Sequence, residues 1–200
     1  MKNFIEIGHT EDEQEQQIKN WLKQNGAQII AGIVLGLGGI WGFDAYNAHQ
    51  YQQSIEARAL YLSANTNTLE QLTTDHSDSG YVQQSALLQA KIAAKNNNYE
   101  LALQHLSGLT NDENKLIANV ATFRMASVYL EMGNYDAAIS TLDATPSGSF
   151  NGLFNQLKGD IYVANNQVEL AQKHYKLALT QISKDSELQS LISIKLADLN

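Results

Sequence analysis

The sequence predicts an all-α chain, with one membrane-spanning helix leading into a domain of stacked helical hairpins. Three observations carry this reading. Between Gln24 and Phe43 there are 20 consecutive positions without a charged side chain, bracketed by Lys23 and Asp44. The 200 residues hold a single proline, Pro146, and no run of alternating β-branched residues that would mark a strand. Three segments of the C-terminal half repeat one pattern of turn, apolar and small residues.

Taken in order, residues 1–23 form a short tail. Within it EDEQEQQIKNWL is expected to be helical, because Ile18, Trp21 and Leu22 fall on one face. The uncharged run follows. At roughly 1.5 Å per residue it amounts to about 30 Å of helix, the thickness of a bilayer's hydrocarbon core. Aromatic residues flank it, Trp21 before and Trp41, Phe43 and Tyr46 after, where interfacial side chains sit. A cleaved signal fits less well, because the run lies behind the acidic segment Glu11–Gln16 and no A-x-A site follows it. An uncleaved signal-like anchor and a buried helix of a soluble core are the competing readings. The span is therefore placed at residues 24–46. Lys19 and Lys23 precede it and only Arg58 follows closely, which predicts a cytoplasmic N-terminus and an external C-terminal domain.

Within the span Gly32 and Gly36 form a G-x-x-x-G pair, Gly39 extends that face, and Gly38 with Gly42 make a second pair rotated around the helix. Small residues at this spacing let two helices approach closely, so Gly32, Gly36, Gly39 and Gly42 are candidate packing positions, including for a second copy of the chain. Glycine is also common in spans generally.

Residues 47–80 read as a juxtamembrane helix continuing to about Asn65, then a polar connector, TNTLEQLTTDHSDSG, with one helical turn at Leu69–Leu72. From residue 81 to 200 helical periodicity dominates. There NNYELALQHL, GNYDAAISTL and NQVELAQKHY align from Asn97, Gly133 and Asn166, with separations of 36 and 33 residues. Each opens with Asn or Gly at an inter-helix turn. Each then places Tyr99, Tyr135 or Val168, next Ala102, Ala138 or Ala171, and then Leu106, Leu142 or Tyr175. In the last two copies a small residue (Ala126, Gly159) stands three positions before a tyrosine (Tyr129, Tyr162). The period is near the 34 residues of tetratricopeptide (TPR) repeats, in which one hairpin buries its apolar face only by stacking on the next. The amphipathic segment Ser186–Leu199 is expected to cap the stack.

In TPR geometry the first helix of each hairpin lines a concave surface. The matching positions are Gln84, Leu87 and Lys91; Val120, Phe123, Ser127 and Leu130; Leu153, Gln156 and Asp160. An apolar centre with polar margins suits an extended peptide or a partner's helix. The competing reading makes Leu87, Phe123 and Leu153 core residues, or residues covered by the last helix.

Other chemistry is weakly represented. The net charge of −8 is spread out and no basic patch exists to neutralise a run of phosphates, so nucleic acid is not an expected partner. Cysteine is absent, which removes disulfides and thiolate chemistry. The histidines His9, His49, His76, His105 and His174 are scattered without ligand spacing, and Asp75, His76 and Asp78 read as a solvated turn. No nucleophile elbow, P-loop or dinucleotide fingerprint occurs. No catalytic, cofactor-binding or metal-binding residues are assigned, and an enzyme is not expected.

The juxtamembrane block W-L-K-Q-N-G (Trp21–Gly26), Gly32, Gly36 and Gly42, then W-G-F-D-A-Y-N-A-H-Q with Asn47, His49 and Gln50, leads into TPR-like helices. This arrangement resembles, over essentially the full length, the YfgM-type ancillary SecYEG translocon subunits of Gram-negative bacteria. The resemblance implies a single-pass inner-membrane protein whose TPR-like domain is periplasmic and tethered beside the SecYEG protein-export channel. It also implies work with a membrane-anchored periplasmic chaperone of the peptidyl-prolyl isomerase-like type, handover of exported proteins, and a link to envelope-stress regulation. It supplies no catalytic residues. The alternative function is a self-associating envelope scaffold not tied to the translocon.

Overall fold

A computed structural model describes residues 11–63, 66–146 and 148–199. The first ten residues, His9 among them, and the expected helix end at Asn65 lie outside the described residues. The chain divides into two compact units, Met1–Arg58 and Ala59–Asn200. Among the described residues every regular element is helical.

The first unit is carried by α1 (Glu11–Ser63), whose 53 residues make about 80 Å of uninterrupted helix. It is long and apolar enough to cross a membrane. In its uncharged run the large apolar side chains are exposed, Leu35 by 77% and Trp41 by 76%. At the start of the uncharged run Asn25 Nδ2 donates to the Trp21 carbonyl at 2.9 Å, which gives one of this amide's donors a partner within the helix itself.

The second unit takes in the last residues of α1, from Ala59, and continues with α2 (Thr66–Asp75). The sequence anticipates only one turn here, at Leu69–Leu72, and the structure extends that turn to ten residues. Leu69 and Leu72 are the reason: three residues apart they share a helix face, and both are buried, at 1% and 0% exposure. Burying a leucine stabilises by about 1.5–3 kcal/mol, enough to override a polar local sequence.

Three antiparallel hairpins follow: α3 (Tyr81–Lys95) with α4 (Tyr99–Ser107), α5 (Lys115–Glu131) with α6 (Tyr135–Ala144), and α7 (Asn151–Ala164) with α8 (Val168–Gln181). A 3₁₀ turn, Gly148–Phe150, introduces the third, and Pro146 lies in the preceding loop. Each hairpin turns the same way. Asn97, Gly133 and Asn166 hold φ of 58°, 72° and 57°, the left-handed region that Gly and Asn tolerate best. Each is followed by an amide that reaches back five residues: Asn98 to the Ala93 carbonyl, Asn134 to Tyr129 and Gln167 to Tyr162, at 2.8–2.9 Å. The side chains of Asn98 and Asn134 then cap the next helix.

Packing follows the repeat pattern. Ala102, Ala138 and Ala171 are wholly buried, and Leu106, Leu142 and Tyr175 are 1–2% exposed. These residues belong to three successive buried clusters along the stack. The terminal helix α9 (Glu187–Ala197) is capped by Ser186 and closes the third cluster with Ile192.

Candidate functional site

A groove of about 580 Å³ opens where the first hairpin meets α5. From α3, Lys91 and Lys95 reach it one helical turn apart, with Ala90 and Ala94 beside them on the same wall. Asn97 and Tyr99 close one end, where the Tyr99 hydroxyl donates to Asn97 Oδ1 at 3.2 Å. The facing wall is α5, with Arg124, Ser127, Val128 and Glu131. Arg124 Nη1 donates to the Leu87 carbonyl at 3.0 Å, which ties α5 to α3 and holds the guanidinium at the groove. A guanidinium carries five N–H donors, so this bond occupies a fraction of its capacity.

The groove is cationic within an acidic protein. Lys91, Lys95 and Arg124 line it against one carboxylate, Glu131, and none of the three forms an ion pair with a carboxylate among the described residues. Elsewhere in the domain, Lys158 pairs with Asp143 and Lys195 with Asp160.

The structure sorts the candidate surface positions. Lys91 is exposed and lines the groove. Val120, Phe123, Leu130 and Leu153 are half-buried. Leu87 is 8% exposed inside the first core cluster, so it is a packing residue rather than a contact surface, because the second hairpin covers it. Asp160 is also engaged within the fold. Gln156 Nε2 donates to its Oδ2 at 2.5 Å, while the Tyr175 hydroxyl and Lys195 Nζ donate to Oδ1 at 2.5 and 2.7 Å. One carboxylate thus joins α7, α8 and the cap α9. Burial, then the hydrogen bond and charge of Asp160, push the Tyr175 phenol well above its ordinary value.

Sequence reasoning found Lys91 and missed Lys95 and Arg124. The four-residue step from Lys91 to Lys95 was readable as a shared face, whereas Arg124 arrives only through the stacking of α5 on α3.

A second hollow of about 470 Å³ lies against α6 and the third hairpin, with Asp136, Asp143 and Tyr162 among its walls. Near it His174 stacks on Tyr162 with ring centroids 5.2 Å apart. Asn155 Nδ2 donates to Gln181 Oε1 and to the Asn151 carbonyl, which leaves its Oδ1 to accept from His174 Nδ1 at 2.8 Å. Burial first, then the charges of Lys158 and Lys173, lower the His174 pKa from 6.5, outweighing the opposing pull of Asp143. This arrangement fixes the orientation of the imidazole between Tyr162 and Asn155. No group of three or more potential metal ligands occurs among the described residues.

In α1, a methyl group added at Gly32, Gly36, Gly39 or Gly42 would meet no atom within 4 Å, so these positions are open.

The family described as "Tetratricopeptide repeat-like domain" matches residues 19–200. A protein of Haemophilus influenzae named ancillary SecYEG translocon subunit is 30% identical over 94% of this chain and 98% of its own length. A protein of the same name from Aggregatibacter actinomycetemcomitans is 30% identical with the same coverage. One from Escherichia coli is 22% identical over 86% of this chain and 88% of its own length. No solved structure matches the chain significantly.

Proposed function

The chain belongs to the TPR-like family of ancillary SecYEG translocon subunits, and from that membership we propose that it is a single-pass inner-membrane adaptor at the protein-export channel. The observation that carries this reading is the pairing, in one chain, of a helix long enough to cross the bilayer with a stack of hairpins that keeps an open groove. Such a chain binds and positions partners rather than turning over a substrate.

The tail lies in the cytoplasm and residues 81–200 in the periplasm, as the placement of Lys19 and Lys23 before the span favours. The span docks at SecYEG through a face including Gly32, Gly36, Gly39 and Gly42, while the half-buried Val120, Phe123, Leu130 and Leu153 contribute to partner contacts in the domain. A membrane-anchored peptidyl-prolyl isomerase-like chaperone is the partner that the family resemblance implies. Handover of exported proteins, and through it an influence on envelope stress, follows from holding channel and chaperone together.

Site-specific photo-crosslinking in intact membranes tests this, with probes at Leu35 in the span and Phe123 in the domain. Channel components at Leu35 and a periplasmic chaperone at Phe123 are expected. Crosslinks only to a second copy of this chain at both positions would replace the adaptor with the self-associating scaffold. Orientation is checked separately. The chain has no native cysteine, so a single Asn111→Cys should react with a membrane-impermeant maleimide in cells with an opened outer membrane.

A further inference from the structure

The groove between α3 and α5 combines three features that together specify a ligand. Its cations are uncompensated: Lys91, Lys95 and Arg124 face one carboxylate and pair with none among the described residues, although the chain as a whole carries −8. Its walls are small or apolar between the charges, with Ala90 and Ala94 on one side and Val128 on the other. Its charge spacing is fixed by helix geometry. Side chains four residues apart on a helix lie about 6 Å apart, close to the roughly 6.6 Å between alternate side chains of an extended peptide. About 580 Å³ is space for a few residues and not for a folded partner.

We propose that this groove docks an extended acidic segment of a partner polypeptide, with carboxylates at alternate positions meeting Lys91 and Lys95. The residue between them turns to the facing wall, where Val128, 7% exposed, supplies a shallow apolar floor that an aliphatic side chain can cover. Arg124, held against the Leu87 carbonyl, offers its remaining donors to a backbone carbonyl or a third carboxylate of the segment. The motif read is therefore acidic–aliphatic–acidic in a strand-like conformation. This deepens the adaptor reading and rests on it, since it names what the domain holds once the span has placed it.

The test is fluorescence anisotropy with the full-length chain in nanodiscs of phosphatidylcholine. The probe is a labelled, C-terminally amidated peptide containing Glu-Leu-Glu, compared with its Gln-Leu-Gln and Lys-Leu-Lys versions. The wild-type chain should bind the Glu peptide, and binding should weaken when salt is raised from about 50 to about 300 mM as screening shortens the reach of the charges. Lys91→Gln with Lys95→Gln should weaken binding by about tenfold. Lys91→Glu with Lys95→Glu should abolish it and create binding of the Lys peptide. Both lysines are exposed, so the variants retain the fold, and unchanged circular dichroism melts check this.

Equal binding of the Glu and Gln peptides, or equal binding by wild type and Lys91→Gln/Lys95→Gln, overturns the proposal. Binding of phosphatidylglycerol vesicles that depends on Lys91 and Lys95, with no peptide binding, would assign the groove to a lipid surface instead. A wild-type particle holding two copies of the chain, reduced to one copy by the same substitutions, would assign it to a second copy. Crosslinks from Leu35 to the channel do not involve the groove. Their persistence alongside a failed peptide test would sink this inference and leave the adaptor reading standing.

Discussion

Gly159 and Gly36 sit in helices of one chain and occupy opposite surroundings. A methyl group on Gly159 would overlap the Tyr175 ring, with Cζ 3.0 Å away, while Gly36 has nothing within 4 Å of where a side chain would start. The same contrast runs through the two units. In the hairpin domain small residues lie under large ones and are buried, as Ala102, Ala138 and Ala171 are. In the apolar part of α1 the large residues face outward. A small residue therefore means different things in the two places. In the domain its partner is on the same chain, so substitution acts on folding. At Gly32, Gly36, Gly39 and Gly42 nothing described in the chain lies within 4 Å, so substitution there is expected to leave folding alone and to act only on what the helix meets outside the chain.

The largest effect that tests this contrast is a charge at the middle of the span. Leu35→Lys should disfavour insertion by about 3 kcal/mol, seen as a large loss of chain resisting carbonate extraction, with the melting of the hairpin domain unchanged. A domain that melted earlier would mean that α1 supports the fold through contacts of its own. Next comes Gly159→Ala, which overpacks a site whose ring is held at Asp160 and should cost about 2 kcal/mol. A drop of several degrees in the melting temperature is expected, with partial recovery when Tyr175→Leu is added. If Gly159→Ala melts with wild type, the close approach of α7 and α8 is softer than its geometry implies.

A smaller effect concerns pH. His174 and His105 both titrate below 6.5 in the fold, the first through burial and nearby lysines and the second through burial. Between the folded value and 6.5 the unfolded chain binds more protons than the folded one. Their contribution to stability is therefore complete above about pH 6.5 and declines as pH falls through and below that value. Urea melts from about pH 7.5 to about pH 5 should show this slope, and His174→Gln should flatten it. An unchanged slope in that variant would assign the pH dependence to other groups. The smallest expected effect is that of Gly32→Ala with Gly36→Ala, which should not move the domain's melting at all. A change in crosslinking from Leu35 in this variant would identify the face that packs on a partner.

Much of the domain was legible in the residues because its rules are local. Asn97, Gly133 and Asn166 are visible as turn formers, and each takes the left-handed conformation that such residues tolerate. The recurring alanines mark where two helices of one hairpin touch, a contact between near neighbours that a fixed period reveals. Legibility failed where the deciding contact was distant or where polarity masked it. The connector around Leu69 and Leu72 reads as polar, yet two buried leucines make it a ten-residue helix. Asp160 reads as a surface carboxylate, and its partner Lys195 stands 35 residues away on a helix whose docking the local pattern does not encode. Of the groove, Lys91 was named from position alone, while Arg124 depended on a bond to the Leu87 carbonyl across 37 residues.

The division into an apolar helix and a hairpin domain, the three turns, and the smallest and most buried positions were already written in the residue order. Hydrophobic length, backbone tolerance and a spacing near 34 residues are properties of short stretches, so they survive without a fold. That Leu87 belongs to the core, that Asp160 fastens the cap, and that three cations without an ion pair among the described residues converge on one groove came from the packing of the helices alone. Those outcomes depend on which helices stack and at what register. Burial and charge pairing are set by neighbours far along the chain, and no local pattern records them.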